Sequence, residues 1–251
     1  MIYSPSRGGT QDFQRCPRLY DLSKRWDTER EWRPEMAIGN AIHAVLANVY
    51  LGKLDEVNVA DYWQDSDEAM PMETAAAIVT KCAREALKIE LVGDSTVVAV
   101  EREMGPERCH PDLVIQHGDW LQVIDWKFSL TLKPEWVSKR LAGYETLWQL
   151  WHYAWRVQQE FALPCNQITV VQMAGLPKAF ARRVDYEVTP ELLYAWEKDA
   201  RQWWALMESG FNAANYDGCR KYGENYLCKF YDGCHRLAAD ESKFDTLYRR
   251  R

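Results

Sequence analysis

The spacing of apolar residues along the chain changes several times, and each change marks an element. Residues 9–25 read as a short helix and a turn. Over 35–51, EMAIGNAIHAVLANVYL, apolar positions recur at helical spacing, which assigns Met36, Ile42, Val45, Leu46 and Val49 to the buried side. A second helical pattern covers 67–91, and Gly93-Asp94 punctuates its end. The period then shortens to that of strands. Thr96–Glu103 is rich in valine, Asp112–Gln116 is short and apolar, and Trp120–Lys127 runs back after a hairpin turn at His117-Gly118-Asp119. Residues 143–162, GYETLWQLWHYAWRVQQEFA, form an aromatic helix, followed by strands at Gln167–Met173 and Ala181–Val188. Thr189-Pro190-Glu191 starts a last helix, with Thr as N-cap and Pro at the first helical position, and Gly210 closes it after about Ser209. The tail from 211 onward is polar, irregular and cysteine-bearing. This order of helices, three strands, helix, two strands and helix predicts a mixed α/β (α+β) core with a helical cap. The expectation is one domain over 1–251, with a helical part (1–95), a sheet core (96–190) and a C-terminal helix and tail (191–251).

The strand pair carries the most informative chemistry. Asp125 and Lys127, two apart on one strand, point the same way, while Ile124 and Trp126 point to the other side. If the turn centres on Gly118 and Asp119, Asp112 lies opposite Asp125. Two carboxylates beside an ammonium suit Mg²⁺ or Mn²⁺, which prefer oxygen ligands, and a bound cation activates water for phosphodiester hydrolysis. A surface Asp–Lys pair is the plainer explanation of D-x-K alone. Here the pair ends the apolar strand Leu121–Ile124, and Glu101 ends the preceding strand, where it can supply a third oxygen. His43 sits among small and apolar neighbours on the early helix. It reads either as a core histidine or as a metal ligand, and Gly39, one turn earlier, leaves room beside it. Gln149 and Tyr153 are i and i+4 on the aromatic helix, as an ordinary polar stripe or as a pair that hydrogen-bonds a phosphate or base.

Composition narrows the picture. Net charge is 31 − 37 = −6, which excludes coating of nucleic acid by bulk positive charge but allows a local basic groove. Candidate patches are Arg15/Arg18/Lys24/Arg25, Lys133/Lys139/Arg140, Lys178/Arg182/Arg183 and Arg249–Arg251. No apolar run approaches the ~18 to 20 residues that span a bilayer, so no membrane partner is expected. The start of the chain lacks an apolar h-region, which points to the cytosol. No G-x-x-x-x-G-K-[ST] occurs, so the chain holds no P-loop motor. Of seven cysteines, Cys82, Cys109 and Cys165 are scattered, whereas Cys219, Cys228 and Cys234 are separated by only eight and five residues. With Cys16 as a fourth thiolate they suggest a metal site, a [4Fe–4S] cluster or Zn²⁺, that ties the two ends of the chain together.

Taken in order, these pieces resemble the PD-(D/E)xK nuclease superfamily, in the branch of the RecB and AddB nuclease domains and Cas4. The matching residues are Ser4-Pro5-Ser6 and then CPRLY at Cys16–Tyr20, G-x-x-x-H at Gly39–His43, Pro111-Asp112, Asp125-x-Lys127, Gln149-x-x-x-Tyr153 and the three C-terminal cysteines. Cys109 stands where the family often has glycine, and Cys219 and Cys228 are spaced more widely than is usual in Cas4 and AddB. The resemblance implies a restriction-endonuclease-like sheet flanked by helices. It implies Mg²⁺ or Mn²⁺ held by His43, Asp112, Asp125 and the Trp126 carbonyl, with Lys127 catalytic, Gln149 and Tyr153 positioning DNA, and Cys16, Cys219, Cys228 and Cys234 around a [4Fe–4S] cluster. The implied function is a metal-dependent DNA nuclease, an exonuclease on single strands or duplex ends, acting alone or with a helicase, recombinase or integrase. The alternative is a Cas4-like accessory that binds and trims DNA ends for an integrase complex.

Overall fold

The computed structural model describes residues 12–27, 34–53, 57–63, 70–105, 109–132, 134–144, 148–211 and 249–250. In chain order the elements are α1 (Pro17–Arg25), β1 (Trp26–Asp27), α2 (Pro34–Tyr50), α3 (Met72–Leu87), β2 (Thr96–Val100), β3 (Leu113–His117), β4 (Trp120–Thr131), α4 (Pro134–Tyr144), α5 (Trp148–Phe161), β5 (Cys165–Leu176), β6 (Phe180–Glu187), α6 (Pro190–Glu208) and β7 (Arg249–Arg250). Four of the helices begin on a proline, whose fixed φ and missing N–H suit the first turn. Thr189 caps α6 by accepting the Leu192 amide at 3.3 Å.

The chain divides into two compact units, residues 32–194 and residues 1–31 with 195–251. The larger unit is built on a five-stranded sheet, order β2-β3-β4-β5-β6. β4 and β5 are parallel and the other neighbours antiparallel, so α4 and α5 form the crossover that parallel strands require. β3 and β4 close through Gly118-Asp119, with His117 opposite Trp120 and Gly118 at φ +62°. On one face of the sheet, Ile38, Ile42 and Leu46 of α2 and Ile78 and Val79 of α3 pack on Leu113, Ile115, Ile124, Trp126, Val171 and Met173. The opposite parity, including Val123, Asp125, Val170 and Gln172, is buried as well, so both faces are covered. This is the mixed sheet flanked by helices that the sequence predicts.

A polar chain crosses the sheet on the α2–α3 face. Ser95 Oγ lies 2.6 Å from His117 Nδ1, and His117 Nε2 donates to Gln122 Oε1 at 2.7 Å. Gln122 Nε2 donates to Thr169 Oγ1 at 2.6 Å, and Thr169 donates to Asp185 Oδ1 at 2.5 Å. Asp185 also takes Arg183 Nε; burial opposes its charge, yet Arg183 and Thr169 hold its carboxyl below the usual range. In the smaller unit, Phe13 packs edge-on against Tyr20, Trp203 and Phe211, and β1 pairs with β7. Among the described residues no helix is long and apolar enough to cross a membrane.

Several expected boundaries differ. Met36 and Val49 are exposed rather than buried, because the inward stripe of α2 is centred on Ala37, Ile38, Ala41, Ile42, Leu46 and Ala47. The Val-rich strand stops at Val100, since Glu101 turns into the left-handed region at φ +44°. β4 runs on to Thr131, and the expected helix over 143–162 divides between the end of α4 and α5. Gly39 does not make room for His43: an added Cβ would meet only Phe128, at an ordinary 3.8 Å.

Candidate active site

The two-residue turn sets the register of the β3–β4 hairpin, pairing Leu113 with Ile124, and continuing that register brings Asp112 opposite Asp125. Just before β3, Asp112 Oδ2 accepts the Trp126 amide at 2.5 Å, and its carbonyl accepts the Glu101 amide at 3.0 Å. The turn of backbone at Glu101 brings its carboxylate to the same place. α2 delivers His43 from the α2–α3 face: Nε2 donates to the Trp126 carbonyl at 3.0 Å, and Nδ1 lies 3.2 Å from Glu101 Oε1 and 3.5 Å from Asp112 Oδ1. The ligand atoms of His43, Glu101 and Asp112 all lie within 4.8 Å of one another.

Burial opposes charge on His43, but hydrogen bonds to Asp112 and Glu101, and the charges of both, outweigh it and push its pKa up to about 10. Both ring nitrogens face acceptors, as an imidazolium requires. A proton on His43 thus fills, in the metal-free protein, the role of a cation between two carboxylates and a carbonyl.

The other half of the site faces α5. Asp125 is fully buried, and its Oδ2 lies 2.5 Å from Lys127 Nζ. Lys127 also donates to Gln149 Oε1 at 3.1 Å, and Gln149 Nε2 donates to the Tyr153 hydroxyl at 2.7 Å. Gln149 and Tyr153 are themselves buried, so they sit behind the lysine rather than on an open surface. The two halves join through one residue: Asp112 holds the Trp126 amide and His43 holds its carbonyl, with Asp125 and Lys127 on either side.

The structure therefore brings together His43, Glu101, Asp112 and the Trp126 carbonyl, and beside them Asp125, Lys127, Gln149 and Tyr153. Asp125 is not in the trio whose atoms converge; its nearest charge is the ammonium. Cys16 is buried, while Cys219, Cys228 and Cys234 lie outside the described residues. Cys82, Cys109 and Cys165 are buried and carry no disulfide. Of the basic patches, Arg25 pairs with Asp21 and Arg183 with Asp185, which engages part of their charge. Sequence reasoning missed Gln172. This buried amide on β5, paired in register with Lys127, donates to the Met173 carbonyl at 2.6 Å, the Lys127 carbonyl at 3.3 Å and Ser129 Oγ at 3.4 Å. The signal was available: a glutamine inside Val170-Val171-Gln172-Met173-Ala174 must find partners if the run is a buried strand.

A sheet with an acid pair and a lysine on its inner strands, met by a histidine from the first long helix, defines the class. The chain belongs to the PD-(D/E)XK nuclease superfamily, whose profile matches residues 3–235. An inferred exonuclease from Eubacterium rectale is similar in structure, with a TM-score of 0.50 and 15% identity over 89% of this chain and 90% of that one. LHK-Exo in complex with dAMP also matches, with a TM-score of 0.34 and 12% identity over 83% of this chain and 89% of that one. No curated protein sequence matches the chain. Nucleases of this superfamily use divalent metals. The donor set of His43, Glu101 and Asp112, one imidazole and two carboxylates, fits a hard cation such as Mg²⁺ or Mn²⁺.

Proposed function

We propose that this protein is a Mg²⁺- or Mn²⁺-dependent deoxyribonuclease that removes nucleotides from DNA ends, in the RecB and Cas4 branch of its superfamily. The observation that carries the reading is the convergence of His43, Glu101 and Asp112 on the backbone of Trp126, between Asp125 and Lys127. His43, Asp112, Asp125, Glu101 and the Trp126 carbonyl would hold the cation. When bound, it neutralises phosphate charge and acidifies water. Lys127 Nζ, held by Asp125 and Gln149, then hydrogen-bonds the attacking water or a phosphate oxygen, and Gln149 and Tyr153 orient the lysine. Attack at phosphorus in line with the departing oxygen forms one P–O bond and breaks another, leaving a phosphate monoester and a hydroxyl. DNA would be met as single strands or duplex ends in the cytosol, delivered by a helicase, recombinase or integrase. End-labelled DNA incubated with the protein should shorten with Mg²⁺ or Mn²⁺ and stay intact in EDTA; DNA that stays intact in all three would overturn the reading.

The cysteine site belongs to the same proposal. Cys16 is buried in the unit that also contains residues 195–251, and β1 and β7 pair residues near the two ends of the chain. Those facts support a [4Fe–4S] cluster, or Zn²⁺, held by Cys16, Cys219, Cys228 and Cys234. Cys228→Ser should lower bound iron or zinc and reduce Tm by roughly 5 °C or more. Unchanged metal content and Tm would refute the assignment.

A further inference from the structure

Tryptophan is abundant in this chain, and among those whose side chains are described all but one are buried or half-buried. The exception is Trp136 on α4, 54% exposed. Lys139 Nζ stands 5.1 Å from the centre of its ring, and Arg140 follows one turn after Trp136, so the three share one outward face. The opposite face of α4 is anchored. Val137 is buried with Leu132 and Ala174, and Leu141 and Phe180 pack against them. Ala174 pairs in register with Ser129, two residues beyond the Lys127–Gln172 pair on the same face, and Ser129 shares the parity of Asp125 and Lys127. α4 therefore covers the catalytic face of the sheet just beyond the lysine. From Lys127 to Thr131 the strand rises about 13 Å, a length of roughly four stacked nucleotides.

We infer that the Trp136–Lys139–Arg140 face of α4 is where a single strand of the DNA substrate lies beyond the cleavage site, a base stacking on Trp136 and phosphates meeting Lys139 and Arg140. An exposed indole already attended by a cation has the chemistry that binds bases without regard to sequence. A local basic strip is also what an acidic protein needs to hold a polyanion. The inference rests on the nuclease reading and extends it to a second contact on the same strand.

The test compares labelled oligothymidylate with a thymidine dinucleotide too short to reach α4. Binding is read by anisotropy in EDTA, and cleavage as kcat and KM with Mn²⁺. Trp136→Ala should raise Kd and KM for the oligonucleotide by roughly 5- to 150-fold, leave kcat near wild type and leave dinucleotide cleavage unchanged. Trp136→Phe should recover most of the loss, and Lys139→Ala should flatten the salt dependence of binding. Equal behaviour of Trp136→Ala and wild type on the oligonucleotide would overturn the inference. So would equal losses on both substrates, which mark a packing role, or a change confined to oligomeric state, which marks a contact between copies. Trp136-dependent binding without cleavage by the wild-type protein would sink the nuclease reading alone. Trp136-independent binding with normal cleavage would sink this inference alone.

Discussion

Lys127→Ala should lower DNA cleavage by about 100- to 10,000-fold, the range lost with a positioned proton-transfer group. The variant is also expected to be less stable, and the reason separates two effects that a single substitution confounds. Asp125 is fully buried and its closest charge is the Lys127 ammonium at 2.5 Å. Removing one partner of a buried pair costs about 3–5 kcal/mol, because the remaining buried charge loses the attraction that offset its desolvation. The double variant Asp125→Asn/Lys127→Met removes both charges. It should recover most of the stability in chemical denaturation while cleaving no better than Lys127→Ala. If the double variant regained activity together with stability, the lysine would be a structural counter-ion and not a catalytic group. Gln149→Leu provides a graded comparison: it leaves the ion pair but removes the second acceptor of Lys127, so its loss of activity should be smaller.

The second large effect is a dependence of metal affinity on pH. His43 is raised from 6.5 to about 10 in the metal-free protein. The sign follows from which state holds the proton. Without metal, the imidazolium stabilises the fold; this contribution is fully present below pH 6.5 and is lost as pH rises toward about 10. A cation binding at the same carboxylates must displace that proton, because a ligating histidine is neutral. Apparent affinity for Mn²⁺ should therefore rise about tenfold per pH unit below pH 10, or roughly 100-fold between pH 6 and 8. Titration calorimetry in buffers of different ionisation heat should count close to one proton released per Mn²⁺, and His43→Ala should release none. A flat affinity between pH 6 and 8 would mean that the proton and the cation do not compete.

The hairpin at the centre of the site was legible because two short-range signals agreed. Alternation fixed which residues share a face, and the Gly118-Asp119 turn fixed the register that sets Asp112 against Asp125. The spacing of Gln149 and Tyr153 likewise implied a shared helix face. What they meet on that face is a tertiary fact: Lys127 comes from a strand 22 residues earlier in the chain. His43 reaches the Trp126 carbonyl across 83 residues, and no local pattern encodes that distance. The exposure of Met36 was missed for a related reason, since helical spacing gives the stripe but not which of two overlapping stripes the sheet covers. α4 went unseen because its apolar content is only a few positions, although Pro134 is an adequate start signal.

The polar chain across the sheet has a consequence for how the strands find their alignment. Asp185 can only accept, so every link runs one way, from Ser95 through His117, Gln122 and Thr169 to the carboxylate. Slide β5 by one residue and Ile168 or Val170 takes the place of Thr169, leaving the Gln122 amide buried beside a hydrocarbon. Strands of valine and isoleucine pair almost equally well in neighbouring alignments; this row of mutually dependent donors does not. It works as a reading frame for the sheet, rejecting shifted pairings that would move Gln172 and Lys127 out of step with each other and with Asp112.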